Sequence, residues 1–183
     1  MGPPAVGSPP AQAGPCAYSP THRFHGACIP VLLAPGCFRL SIASLICLVI
    51  AVHDGDTLTA RCGSAFHSEK VRLRVAAIDA PESRQAFGQK SREHLARLCL
   101  RQPATLHPVE KDRYGRTVAH VHCAGLDVAT AQVGAGMAWV YVPYADGRPG
   151  LKALQTHARS QGAGLWSQAR PMAPWTYRQR YMR

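Results

Sequence analysis

From Ile46 to Cys123 short apolar stretches alternate with polar turns, a rhythm that predicts strands more than long helices. The runs Leu48–His53, Thr57–Cys62, Val71–Ile78, Ala104–Pro108 and Thr117–Cys123 each have the length and β-branched content of a strand. Asp54-Gly55-Asp56 joins the first two, and Asp112-Arg113-Tyr114-Gly115-Arg116 precedes the last. Both are compositions that accept the tight angles of a hairpin turn. Gln85–Leu100 instead spaces Phe87, Leu95, Leu98 and Cys99 at a helical period, leaving Lys90, Arg92 and Arg97 for the opposite face. Asp127 can cap a short helix from Val128 to Ala135 that Gly136 ends, and Leu151–Ser160 forms another after Pro149-Gly150. The pattern predicts an α+β fold, mainly β: a small five-stranded barrel with about three helices.

The chain before the barrel reads differently. Residues 1–46 form a Pro/Gly-rich leader; Pro, Gly and Ala dominate Met1–Pro20 without any period. Two apolar runs follow, Ala27–Phe38 and Leu40–Val52, each shorter than the roughly 18 to 20 residues of a bilayer span. The first, preceded by His22, Arg23 and His25 and followed by Ser41-Ile42-Ala43, has the layout of a secretory signal. Arg39 and the long Pro-rich start fit a disordered extension instead. The first reading makes the protein secreted or periplasmic, the second cytoplasmic. Residues 47–169 form the domain, and residues 170–183 a basic, aromatic tail that either clamps single strands or packs its Trp175 on the barrel.

Composition narrows the partner. The 183 residues are 46% hydrophobic and 17% charged, enough to build a core and to exclude wholesale disorder. Lys and Arg number 21 against 10 Asp and Glu, a net charge of +11 that attracts polyanions, nucleic acid before anionic membrane. None of the seven Cys stands in a C-x-x-C spacing, which excludes a zinc ribbon or a thioredoxin-type redox motif. The nine His show no spacing tied to a carboxylate cluster and read as strand and surface residues.

Chemistry concentrates at two strand ends. Asp54-Gly55-Asp56-Thr57 and Ile78-Asp79-Ala80-Pro81-Glu82 can each present carboxylates, with Asp56 and Asp79 the pair suited to a hard divalent cation and a backbone carbonyl as a further oxygen ligand. Glu82 follows the rigid Pro81, as suits a base that orients a water. Arg72 and Arg74 share one strand face, and Arg116 follows the Tyr114-Gly115 turn, so guanidinium groups from separate elements can converge on a phosphate. Taken singly, each feature is equally a hairpin turn, a loop entry or a solvated arginine.

Their order is more specific. Val52-His53-Asp54-Gly55-Asp56-Thr57, Arg74, Ile78-Asp79-Ala80-Pro81-Glu82, Asp112-Arg113-Tyr114-Gly115-Arg116, Gly136-Met137-Ala138-Trp139-Val140-Tyr141 and Gly164-Leu165-Trp166 together resemble the staphylococcal nuclease family over roughly Cys47–Trp166. The resemblance implies an OB-type barrel that binds Ca2+ and hydrolyses DNA and RNA phosphodiesters with little sequence specificity, leaving 3′-phosphate ends. It makes Asp56, Asp79 and the Ala80 carbonyl the calcium ligands, where some members carry Thr at the Ala80 position, and it makes Arg74, Glu82 and Arg116 the catalytic residues. Arg113, Tyr114, Tyr141 and Tyr144 become candidate nucleic-acid contacts, with barrel packing an equal reading for Tyr141. Single-stranded DNA or RNA is the implied partner of a monomer with no stable protein partner. The alternative is a non-catalytic OB-fold module that binds single strands; a membrane or cell-wall binder would explain the charge but none of the carboxylates. Cys47, Cys62, Cys99 and Cys123 permit three disulfide pairings, all open.

Overall fold

A computed structural model describes residues 45–64, 66–145 and 147–182. The chain divides after Arg39, and the described residues all belong to the second unit. The leader assignment therefore falls almost wholly outside them. Among the described residues no helix is long and apolar enough to cross a membrane.

Five strands close into a barrel: β1 (Leu45–Val52), β2 (Thr57–Gly63), β3 (Ser68–Val75), β5 (Pro103–Lys111) and β6 (Thr117–Cys123). The short strands β4 (Ile78–Asp79), β7 (Leu126–Asp127) and β8 (Trp139–Val140) lie outside this ring. Antiparallel pairing runs β3-β2-β1-β5-β6, and a parallel β3–β6 pairing, with Arg74 opposite Val118, closes the circle. Closure removes the exposed edges that an open sheet would offer to other chains. Alternation supplies the core. Leu58, Ala60 and Cys62 of β2 point inward with Leu73 and Val75 of β3, Leu106 of β5 and Val121 of β6, whereas Arg61 and Arg72 face out. A register shift between Val49 and Ala51 bends β1, as one extra residue in a strand does.

The apolar run expected as one strand from Val71 to Ile78 is broken. Ala77 adopts φ 68°, so β3 ends at Val75 and the chain turns into β4, which pairs with β8. This kink delivers Asp79 to the barrel's rim. Helix α1 (Gly88–Cys99) starts three residues later than its apolar period, because Phe87 sits at φ 68° and cannot be helical. Helices α2 (Val128–Gly134) and α3 (Pro149–Ser160) occupy the predicted segments.

The tail adds a fourth helix, α4 (Pro174–Tyr181), beyond the three expected. Its eight residues, rich in Arg and Tyr, hold too few apolar positions for a helical period to show. The Trp175 ring lies 5.7 Å from Trp139 and 6.0 Å from Tyr141, and the Gln85 carboxamide donates to the Met172 carbonyl at 2.6 Å. The tail thus takes the packed alternative.

Of the three disulfide pairings, the structure has Cys47–Cys62, which cross-links adjacent β1 and β2, and Cys99–Cys123, which ties the end of α1 to the end of β6. Each closes a loop of the length for which the chain-entropy argument gives about 3 kcal/mol of stabilisation.

Asp127 caps α2 by accepting from the Thr130 amide at 2.7 Å, and it pairs with Arg148 at 2.7 Å. Partial burial alone would raise its pKa; the Arg148 and Thr130 hydrogen bonds outweigh burial and hold the carboxyl below its ordinary value of 3.8. An acid with a depressed folded pKa contributes stability above its unfolded pKa and loses it as pH falls through the folded one. Asp127→Ala should therefore cost about 1–2 kcal/mol at neutral pH. In paired denaturant melts that deficit should shrink once the pH falls below about 3.8, the unfolded value.

Candidate active site

The three polar motifs meet in one cleft of about 730 Å³ at the barrel's rim, lined among others by Asp56, Arg74, Asp79, Glu82 and Arg116. Asp56 ends the β1–β2 turn, Arg74 stands opposite Thr57 in the β2–β3 ladder, and Asp79 lies on β4 just after the Ala77 kink. Arg116 sits two residues before Val118, the partner of Arg74. Residues far apart in the chain thus converge because closure of the barrel brings β3 and β6 side by side.

Arg74 lies between the two carboxylates. Its Nη1 donates to Asp56 Oδ2 at 2.9 Å and its Nη2 to Asp79 Oδ1 at 3.1 Å and to the Ile78 carbonyl at 3.3 Å. The Ala80 amide donates to Asp56 Oδ2 at 2.8 Å, so the two motifs are also joined through the main chain. Asp56 and Asp79 are buried, 3% and 0% exposed, in a protein where an unpaired carboxylate at that depth would be prohibitive. Burial pushes the Asp56 carboxyl upward against the opposing pull of Arg74. Burial likewise works against the charge of Arg74, and the carboxylates of Asp56 and Asp79 overcome it, raising its pKa. The guanidinium stays charged.

The network extends to the second arginine. Thr57 Oγ1 donates to Asp56 Oδ1 at 2.9 Å and accepts from Arg116 Nη1 at 3.5 Å. Asp112 orients Arg116 from behind, accepting its Nε at 2.7 Å and its amide at 3.0 Å. Arg113 and Arg116 flank the Tyr114 ring, 4.9 and 5.4 Å from its centre, and Arg113 Nη2 donates to the Tyr114 hydroxyl at 2.8 Å. Tyr114 is 69% exposed, its ring held beside its cationic neighbours. Tyr141 is half-buried on the cleft wall beside Trp175. Tyr144 ends the single helical turn Val142–Tyr144; its side chain lies outside the described residues.

Glu82 is half-buried on a loop held at both ends. Its amide donates to Gln85 Oε1 at 3.1 Å, its carbonyl accepts from the Gln85 amide at 2.8 Å, and a Cβ on Gly88 would come within 1.9 Å of that carbonyl. The first turn of α1 can lie against the loop only because Gly88 has no side chain.

Sequence reasoning missed three components. Thr57, in the sequence only the end of the acidic motif, links Asp56 to Arg116 in the structure. Gln132, buried on α2, supports the acidic turn by donating to the Gly55 carbonyl at 2.5 Å while its Oε1 pairs with His94. Arg178 of α4 enters the cleft and bonds Asp79 and Glu82. Only the Arg and aromatic content of the tail hinted at it.

The donor set suits a hard divalent cation: two buried carboxylates and a neighbouring main-chain carbonyl, oxygen throughout. Among the described residues no group of three or more His, Cys, Asp or Glu side chains could by itself hold a metal ion. A cation here would complete its shell with the carbonyl, water and substrate oxygens.

A family model described as staphylococcal nuclease homologue matches residues 72–168. An uncharacterized endonuclease of Escherichia coli O157:H7 is 38% identical over 154 residues, 83% of this chain and 97% of that protein. A micrococcal nuclease of Shigella flexneri is 37% identical over 142 residues, 71% of this chain and 78% of the relative. An uncharacterized 38.1 kDa protein of Capnoides sempervirens is 38% identical over 111 residues, 61% of this chain but 32% of that protein, so the chain spans about a third of it.

Gly55 separates the acidic turn from what lies beneath it: a Cβ there would fall 1.8 Å from Ser91 Oγ and 2.7 Å from the Ala80 Cβ. Gly55→Ala must shift the turn, Ser91 or Ala80, at an expected cost of about 1–3 kcal/mol. Thermal melts of the variant against the parent check this, and an unchanged melting temperature would show that the turn has room to spare.

Proposed function

The chain belongs to the staphylococcal nuclease family and is a nuclease, and from that premise we propose that it is a calcium-dependent endonuclease cutting DNA and RNA with little sequence specificity to leave 3′-phosphate ends. The observation that carries the proposal is the continuous network Arg116–Thr57–Asp56–Arg74–Asp79, which gathers two buried carboxylates and two guanidinium groups in one cleft. A structural barrel that merely bound single strands would gain nothing from burying Asp56 and Asp79, whose desolvation is costly.

In this reading Asp56, Asp79 and the Ala80 carbonyl would hold Ca2+, which would supply Lewis-acid polarisation of a phosphate oxygen. Glu82, on its braced loop, accepts a proton from the attacking water. Arg74 and Arg116 offer planar forks to the phosphate oxygens and stay charged while negative charge builds there. Asp112 keeps Arg116 pointed into the cleft. Tyr114 and Tyr141 provide π-faces that accept any base, and Arg113 provides a charge for a neighbouring phosphate, which favours single-stranded substrates. Tyr144 is proposed as a further contact on its position in the chain alone. The two disulfides support an oxidising destination, secreted or periplasmic, for a protein acting as a monomer.

Glu82→Gln keeps the shape of the side chain and removes its basicity. It should lower turnover on heat-denatured DNA by at least about a hundredfold with the melting temperature kept within a few degrees. Cleavage at the parental rate would remove Glu82 from the proton transfer. The products of the parent should resist 3′ extension until a phosphatase removes the terminal phosphate; immediate extension would reverse the assignment of the broken bond.

A further inference from the structure

The side chain that lies closest to both Asp79 and Glu82 comes from the end of the chain. Arg178 Nη2 donates to Asp79 Oδ2 at 2.7 Å, and Nη1 donates to Asp79 Oδ1 at 3.1 Å and to Glu82 Oε1 at 2.7 Å. One guanidinium thus spans the proposed cation ligand and the proposed base, using its planar fork on the first and its remaining donor on the second. Asp79 is buried while Arg178 keeps 38% of its side-chain exposure, so the arginine lies on the solvent side of the pair.

The contact is not the chance reach of a loose tail. Helix α4 is anchored by Trp175 against Trp139 and Tyr141, by the buried Pro174, and by the hydrogen bond from Gln85 to Met172. Gln85 also braces the Glu82 loop through its own Oε1, so one residue ties α4 and the Glu82 loop together. Charge supplies the motive. Arg74 is shared between two acids and gives Asp79 one hydrogen bond, whereas Arg178 gives it two. A buried carboxylate needs that compensation.

Resting on the reading of the cleft as a cation-dependent site, we infer that Arg178 is a positioning residue of this nuclease: its guanidinium is the resting counter-ion of Asp79 and Glu82, and it yields Asp79 when a divalent cation binds. The cation therefore competes with an internal cation for the same oxygens, and its apparent affinity is reduced by the fraction of molecules in which Arg178 holds them. Because α4 is anchored upstream of Arg178, a displaced guanidinium remains at the mouth of the cleft.

The test is calcium binding itself, followed by calorimetry on the full-length, disulfide-intact protein without nucleic acid, for the parent, Arg178→Gln and Arg178→Lys. Gln and Lys match Arg as helix formers, so α4 keeps its local preference. Arg178→Gln should bind calcium on the order of tenfold more tightly, the worth of one charge-assisted contact no longer in competition. Arg178→Lys, a point charge that cannot span both carboxylates, should fall between. In chelator Arg178→Gln should melt lower than the parent, and calcium should raise its melting temperature by more. A residue that merely held the tail in place would, when replaced, leave calcium affinity unchanged or weaken it, and either result overturns the inference. If Arg178→Gln does not fold, the same comparison is made with Arg178→Lys. A parent that takes up no calcium at millimolar concentration removes the calcium reading and this inference with it. A parent that binds, beside variants that bind no better, removes this inference alone.

Discussion

The acidic pair at the barrel's rim is held together by one part-buried guanidinium. Arg74 reaches from β3 to Asp56 and Asp79, two carboxylates buried where an unpaired charge would be costly. The arginine makes the acidic pair tolerable, and the pair holds the arginine in one orientation. Such an arrangement is costly to build and poor at stabilising a fold compared with apolar packing. Its value lies in pre-ordering, since groups already fixed in a water-poor cleft need no rearrangement when charge develops on a substrate.

The fold supplies the convergence. β1 and β2 carry Asp56 on their turn, the kink at Ala77 swings Asp79 toward it, and the parallel β3–β6 pairing brings Arg116 to the same rim. The helices then work from below. Gln132 of α2 holds the Gly55 carbonyl, and α1 abuts the Glu82 loop at Gly88. The site is thus a property of the closed barrel and its buttresses. The cross-link Cys47–Cys62 joins β1 to β2 at the end of their ladder away from the Asp56 turn, and Cys99–Cys123 joins the last residues of α1 and β6.

Much of this was legible in the chain. Alternation placed the five barrel strands, and the acidic turns with Arg74 and Arg116 stood out because they interrupt apolar runs at strand ends. What escaped was of two kinds. Local backbone exceptions, the left-handed Ala77 and Phe87, override propensity for reasons of tertiary fit and shortened one strand and one helix. Long-range pairings leave no periodic trace: Gln132 beneath Gly55 and Arg178 beside Glu82 join residues 77 and 96 positions apart. The disulfide pairing belongs with these, since nothing in the spacing of four cysteines distinguishes neighbours in a barrel from strangers.

The tail shows how composition can point to a region without naming its job. Its tryptophan, tyrosines and arginines are the material of a nucleic-acid clamp, yet Trp175 packs on the barrel and Arg178 turns inward to the acids. The cleft is consequently lined with its own paired charges, and under the proposed reading a bound cation would have to exchange for them. The most direct test of that account is digestion of heat-denatured DNA by the disulfide-intact protein as calcium is added and then chelated. The account requires cleavage that appears with calcium and stops with chelator; tight binding of DNA with no cleavage in calcium would contradict it.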